Sequence, residues 1–195
     1  MCAVTTEATG WTGARPLDAS RGELDANDRF HRLLREYGPP IERLAAAYEA
    51  DPNERQDLMQ DIVFALWRAL PTFRGECSEK TFVYRIAQNR GLTHRWRRRA
   101  RHARLVELDD ESTELADPAT ERDDAELPRS VTPQELLAAV QRLPGLLRDV
   151  IVLSLEGLSN IEIADVLGIS SGNVGVRLAR ARSALRKTLT RERKP

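Results

Sequence analysis

The chain has 195 residues, 41% hydrophobic and 31% charged, enough for one medium domain or two small ones of ordinary globular composition. No stretch approaches the ~18 consecutive apolar residues of a membrane span, and the opening MCAVTTEATGWTGARPLDAS lacks the charged start and apolar core of a secretory signal. Cys2 and Cys77 are too few and too far apart for a disulfide framework or a thiolate metal cluster, so the expectation is a cytoplasmic protein with no metal, no cofactor and no membrane insertion.

Residues 1–24, rich in Thr, Ala, Gly and Asp without sustained periodicity, read as a disordered tail. Helical spacing begins near Leu24, with Phe30, Leu33, Leu34 and Tyr37 recurring until Gly38-Pro39-Pro40 is expected to stop it. Pro40 then opens a second helix with Ile41, Leu44, Ala45 and Tyr48 on one face. Asp51-Pro52-Asn53-Glu54 supplies an N-cap carboxylate, a first-turn proline and a glutamate three residues on. It predicts a helix to Leu70 that buries Leu58, Ile62, Ala65 and Leu66 and ends at Pro71. After a loop from Thr72 to Ser78, a fourth helix capped by Ser78 runs to about Arg101.

Residues 103–131 contain Pro118, Pro128 and few apolar side chains, and their like charges predict an extended linker. Thr132-Pro133-Gln134-Glu135 repeats the cap, proline and glutamate pattern and opens a second domain. Its helices read as Pro133 to Arg142, Pro144 to Glu156, Ser159 to Leu167, and Ser171 to about Leu189. No run alternates as a strand would. The expected fold class is all-α: two small four-helix domains, residues 25–102 and 132–190, joined by a flexible acidic linker.

Formal net charge is zero, but the charges are segregated. Phe82 to Arg104 holds eight arginines and no acid, and Ser171 to Pro195 holds eight Arg or Lys against Glu192 alone. Between them, Glu107 to Glu126 has ten acidic residues and one base, Arg122. Two cationic blocks flanking an anionic connector suit a nucleic-acid binder that the net charge conceals. In the first block Phe82, Tyr84 and Trp96 lie among the arginines, where rings can stack on unpaired bases while guanidinium groups hold phosphates; taken singly, each ring also reads as core.

Ser159-Asn160-Ile161-Glu162 reads as a capping box, Ile163, Ala164, Val166 and Leu167 as a packing face, and Gly168-Ile169-Ser170 as a tight turn. Val174, Leu178, Ala181 and Leu185 then make a buried stripe, leaving Asn173, Arg177, Arg180 and Arg182 for DNA. That is a helix-turn-helix with an arginine-rich second helix. Gly172 and Gly175 weaken this helix, and Gly175 reads as a place where backbone approaches DNA.

DLMQDIVFALWRAL followed by FVYRIAQNRGLTHRWRRR resembles region two of the extracytoplasmic-function group of bacterial RNA polymerase sigma factors. LPGLLRDVIVLSLEGLSNIEIADVLGISSGNVGVRLARARSALRKTL is similar to their region four. The resemblance covers about Phe30 to Arg101 and Thr132 to Leu189, in the family's order. It implies that the Asp57 to Trp67 helix docks on the β′ clamp helices of core polymerase through Asp57, Gln60 and Asp61, and that region four meets the β flap. It further implies that Phe73, Arg74 and Lys80 form the loop that captures a flipped base of the minus-ten element. Phe82, Tyr84, Arg85, Asn89, Arg90, Arg95, Arg97 and Arg98 would hold the melted strand. Ser171, Asn173, Arg177, Arg180 and Arg182 would read the minus-thirty-five duplex. An anti-sigma factor is a further implied partner, besides polymerase and promoter DNA, and the acidic linker would thread the polymerase. The chain departs from the family pattern at Thr93-His94, where an aspartate is common, at Phe82-Val83 in place of Trp-Leu, and at Asn173 and Gly175-Val176.

A stand-alone regulator binding duplex DNA also accounts for the helix-turn-helix, but leaves the Asp57 helix and the aromatic basic helix without a task. For an enzyme the sequence offers little. His31, His94 and His102 have no ligand-spaced partners, and no glycine loop cradles a phosphate. His94 and His102 are expected near phosphate instead.

Overall fold

The computed structural model describes residues 16–105 and 131–191. Seven helices are found among these residues, with no strand. The expected tail up to residue 15, most of the acidic linker and the last four residues lie outside them.

The first helix, α1 (Pro16–Tyr48), runs unbroken through Pro39 and Pro40. This corrects the expected stop at Gly38 and gives one long helix where two were expected. The two prolines remove two backbone donors, a cost that ordinarily breaks a helix. Here Leu33 before them and Ile41, Leu44, Ala45 and Tyr48 after them are all buried in one core, so packing on both sides holds the axis through the pair. The helix also begins at Pro16, inside the stretch read as tail.

Helix α2 (Pro52–Ala69) starts as its sequence demands: the Asp51 carboxylate accepts from the N–H of Asn53 at 2.9 Å and of Glu54 at 3.0 Å. Its buried residues are Leu58, Ile62, Ala65 and Leu66. Pro71 converts its end into a single 3-10 turn, Leu70–Thr72. Helix α3 (Glu79–Leu105) is capped by Ser78, whose hydroxyl accepts from the N–H of Thr81 at 3.0 Å. Val83, Tyr84 and Ala87 face inward. At Gly91 an added Cβ would lie 3.0 Å from the Tyr48 ring, so the missing side chain is what lets α1 and α3 pack this closely.

The second domain comprises α4 (Pro133–Gln141), α5 (Gly145–Leu155), α6 (Asn160–Leu167) and α7 (Ser171–Arg191). Thr132 and Ser159 both form complete capping boxes, with Glu135 and Glu162 respectively. The Ser159 N–H bonded to Glu162 at 2.8 Å holds that carboxyl below its ordinary range. Gly168 takes the left-handed conformation, φ 68°, that reverses the chain between α6 and α7. Leu153, Ile163, Val174, Leu178, Ala181 and Leu185 form this domain's core.

The two domains are in contact. Helix α3 packs on α6, and α1 packs on α4 and α5, so the buried apolar residues form one cluster running through both.

Because both hydrogen bonds of the Ser159 box are local to α6, Ser159→Ala should lower unfolding free energy by about 1 kcal/mol. Ser159→Thr should restore most of it, as read by urea denaturation.

Candidate polymerase and promoter interface

On α2 the helical period sorts residues by face. Asp57, Gln60 and Asp61 are exposed, opposite the buried Leu58 and Ile62. The same outer face carries Phe64 and Trp67, 57% and 55% exposed, their rings stacked at 6.4 Å and 26°. The Arg68 guanidinium lies 5.7 Å from the Phe64 ring. Two large aromatics left in water on one helix face mark a contact surface. The family resemblance marks the three polar residues and not this pair, although the period that buries Leu58, Ile62 and Ala65 already turns Phe64 outward.

The loop before α3 is pinned from α1. Glu79 accepts from Arg29 at 2.7 and 3.0 Å and from Arg32 at 2.9 Å. Burial works to raise the Glu79 carboxyl, but these guanidinium bonds outweigh it and hold it below the usual range. Phe73 is half-buried, its ring 4.5 Å from that of Phe82, with Arg29 5.0 Å above its face. The loop is thereby preorganised, with Arg74 exposed beyond it.

The cations of α3 do not form one open surface. Asn89, Arg90 and Arg97 are exposed, Arg97 lying 3.5 Å from Asp61. Lys80, Arg85 and Arg95 instead reach the second domain. Lys80 Nζ donates to the Gly157 carbonyl at 2.7 Å, Arg85 donates to the Asp165 carbonyl at 2.6 Å, and Arg95 lies 3.9 Å from Asp149.

Two expected DNA contacts are engaged within the protein, Tyr84 by burial and Arg98, itself 45% exposed, by an ion pair. Tyr84 is buried at 2% exposure, edge-on to Tyr37, because its position on α3 faces α1 and not solvent. Arg98 bonds both oxygens of Glu49, at 2.8 and 2.9 Å, and Glu49 is 1% exposed. His94, expected near phosphate, is likewise buried, its Nε2 3.2 Å from Glu49 and 3.7 Å from Glu54. Arg101 bonds Glu54 at 2.9 Å and lowers that carboxyl's pKa. Arg98 and His94 of α3 thus meet the buried Glu49, while Arg101 meets Glu54 beside it, in a network whose hydrogen-bonded pairs are 45 to 49 positions apart.

In the helix-turn-helix, Ser171, Asn173 and Arg182 are exposed, while Arg177 and Arg180 are half-buried. Val176, beside Arg177, is 53% exposed. An added Cβ at Gly175 meets nothing within 4 Å, so no packing inside the protein requires glycine there.

Residues 33–102 match the family model of sigma-70 region 2, and residues 133–185 match that of sigma-70 region 4. The chain is 34% identical to RNA polymerase sigma-H factor of Pseudomonas aeruginosa, an alignment covering 82% of this chain and 86% of that one. It is 32% identical to ECF RNA polymerase sigma-E factor of Haemophilus influenzae, covering 80% and 85%. The chain belongs to the ECF sigma factors of RNA polymerase. This makes it an alternative sigma factor and not a stand-alone regulator. Its fold is similar to CnrH, solved in complex with the cytosolic domain of CnrY, at TM-score 0.59, 25% identity and coverage of 86% and 91%. It is also similar to the sigma factor RpoE, solved with the anti-sigma factor NepR from Bartonella quintana, at TM-score 0.63, 21% identity and coverage of 83% and 97%. Among the described residues no helix is long and apolar enough to cross a membrane.

Since Gly175 sits in open space within α7, Gly175→Ala should stabilise the chain by up to about 1 kcal/mol. If DNA approaches the backbone at this point, the same variant should bind minus-thirty-five duplex more weakly. Thermal unfolding and a duplex titration on one sample separate the two effects.

Proposed function

We propose that residues 25–102 of this sigma factor dock on core polymerase and hold the melted minus-ten strand, that residues 132–190 read the minus-thirty-five duplex, and that residues 103–131 tether them. The observation that carries this reading is the outer face of α2. There Asp57, Gln60 and Asp61 lie along the same exposed face as the Phe64–Trp67 stack. An aromatic centre with a polar rim is the anatomy of a protein-docking patch, and the β′ clamp helices are its assigned partner. Region four is assigned to the β flap.

For the minus-ten element the division of labour follows exposure and charge. Phe73 and Phe82, held by Arg29, form the aromatic floor against which a flipped base would stack, and Arg74 and Lys80 flank it. Arg85, Asn89, Arg90, Arg95 and Arg97 would follow the strand. Arg98 supports the helix through Glu49 and leaves this set, as does the inward-facing Tyr84. Upstream, Asn173 and Arg177 are placed to reach base edges, with Ser171, Arg180 and Arg182 on phosphate or base. The chain works as a binding factor and not as a catalyst, and it works in the cytoplasm beside the polymerase. An anti-sigma protein is the proposed antagonist, supported by the protein partners that both structural relatives carry.

Run-off transcription with core polymerase on a genomic library tests the function and reports the promoter together. Trp67→Ala should weaken core binding by at least about 2 kcal/mol, as a central aromatic does, while leaving thermal stability nearly unchanged because the ring is exposed. Core binding unaffected by both Trp67→Ala and Phe64→Ala would remove α2 from the polymerase interface. Arg97→Ala with Arg99→Ala should flatten the salt dependence of single-strand binding by about one or two phosphate contacts. Arg98 is left intact in that variant so that Glu49 keeps its partner.

A further inference from the structure

The second helix of the helix-turn-helix is fixed at its start and along its inner side. Ser170 caps α7, its hydroxyl accepting from the Asn173 N–H at 3.3 Å, and the Ser170 carbonyl accepts from the Val174 N–H at 3.0 Å. Val174, Leu178, Ala181, Leu185 and Leu189 are buried beneath the helix. At ~3.6 residues per turn, a residue two positions from a buried one lies about 200° around the axis. Val176 is two positions from both Val174 and Leu178, so it stands on the side directly away from the core. It is 53% exposed.

Its neighbours on that side are the residues three and four positions away: Gly172, Asn173, Ala179 and Arg180. Gly172, Asn173 and Ala179 are exposed, whereas Arg177 and Arg180 are half-buried. The outermost ridge, Gly172, Val176 and Ala179, thus carries no polar side-chain atom and nothing longer than valine, with the long cations to its flanks. An added Cβ meets nothing within 4 Å at Gly172 or at Gly175, so packing within the protein does not account for these gaps. A ridge this low lets the helix lie deep in a major groove, its backbone close to the base edges.

Nothing in the folded chain calls for valine at the crest of that ridge. Its branched Cβ lowers helix propensity, and its exposed methyls add little to the core. It has neither donor nor acceptor, so it cannot read a base edge by hydrogen bonds. The apolar feature that a base presents in the major groove is the C5 methyl of thymine.

We propose that Val176 reads a thymine methyl in the minus-thirty-five duplex, an apolar specificity contact beside the polar one assigned to Asn173 one turn earlier. The inference rests on the assignment of α7 to that duplex and adds the residue and the chemical group it selects.

The test uses the full-length chain bound to core polymerase. This holoenzyme selects duplexes from a library randomised over the upstream element, with core polymerase alone as the reference. In the enriched duplex each thymine of the element, on either strand, is replaced in turn by deoxyuridine, which lacks the C5 methyl and keeps every hydrogen-bonding group. Holoenzyme affinity is read by anisotropy. At one thymine the replacement should weaken binding about three- to fivefold, as the loss of one buried methyl-sized contact does. Val176→Ala should weaken binding of the thymine duplex by a similar factor and become indifferent to deoxyuridine at that position alone, so that the two losses do not add. A selection repeated with Val176→Ala should relax the preference at that position and keep the others. Because the side chain is exposed, thermal unfolding of the variant should match or exceed that of the wild type.

An enriched element with no thymine in common, no thymine sensitive to loss of its methyl, or a deoxyuridine penalty unchanged in Val176→Ala would each overturn the role of Val176 and leave the sigma-factor reading standing. No enrichment over core polymerase alone would overturn the promoter-reading assignment itself, and this inference with it.

Discussion

Tyr48 stands where three constraints meet. Its ring fills the space that Gly91 leaves open between α1 and α3, its backbone ends α1 beside the buried Glu49, and its hydroxyl leaves the first domain to bind Asp149 of the second. Burial pushes both groups up from their ordinary pKa values; the Asp149 carboxylate adds to the rise at Tyr48, whereas the Tyr48 hydroxyl and the nearby Arg95 oppose the rise at Asp149. The aspartate is therefore buried at a cost that only its local partners offset. Removing one partner would leave a buried acid with too few hydrogen bonds, so the position of α5 on α1 follows from satisfying that acid.

A second buried acid organises the basic helix. Glu49 draws Arg98 and His94 inward, and Glu54 takes Arg101. The like charges of α3 would otherwise repel along its length. Turning some inward to carboxylates fixes how α3 rotates against α1 and α2, and so which arginines remain outside. Arg90, Arg97 and Arg99 with Asn89 are left outside by this rotation, while Arg98 and Arg101 stay partly exposed with their tips on carboxylates.

Local signals were legible in the sequence and distant ones were not. The caps at Asp51, Thr132 and Ser159 and the turn at Gly168 depend on residues within four positions, and each is found where the pattern puts it. The all-α class and the family follow from the same kind of pattern. The proline pair misled because local chemistry favours a break there, whereas burial of Leu33 and Ile41 on either side favours continuity. His94 misled for a related reason, and the Arg98–Glu49 pair was hidden by the same one: a run of arginines does not announce an acid 45 or 49 positions earlier. Of the candidate site, the polar residues on α2 were readable, but the exposure of Phe64 and Trp67 depended on knowing which face α2 buries.

Gly145 gives the sequence a meaning that reaches beyond this chain. It begins α5 just after Pro144, where glycine is a poor helix former and no positive φ calls for it. Its use lies in the space it yields to Arg95. In a related chain the residue at this position would bear on where the cation opposite it can rest. A relative with glycine here and a long cation at the Arg95 position retains room for the same placement of that cation, whereas a side chain here would displace the flexible end of the cation before it moved a helix. The pair therefore reports where a guanidinium rests beside the Asp149 carboxylate, not how the two domains are seated.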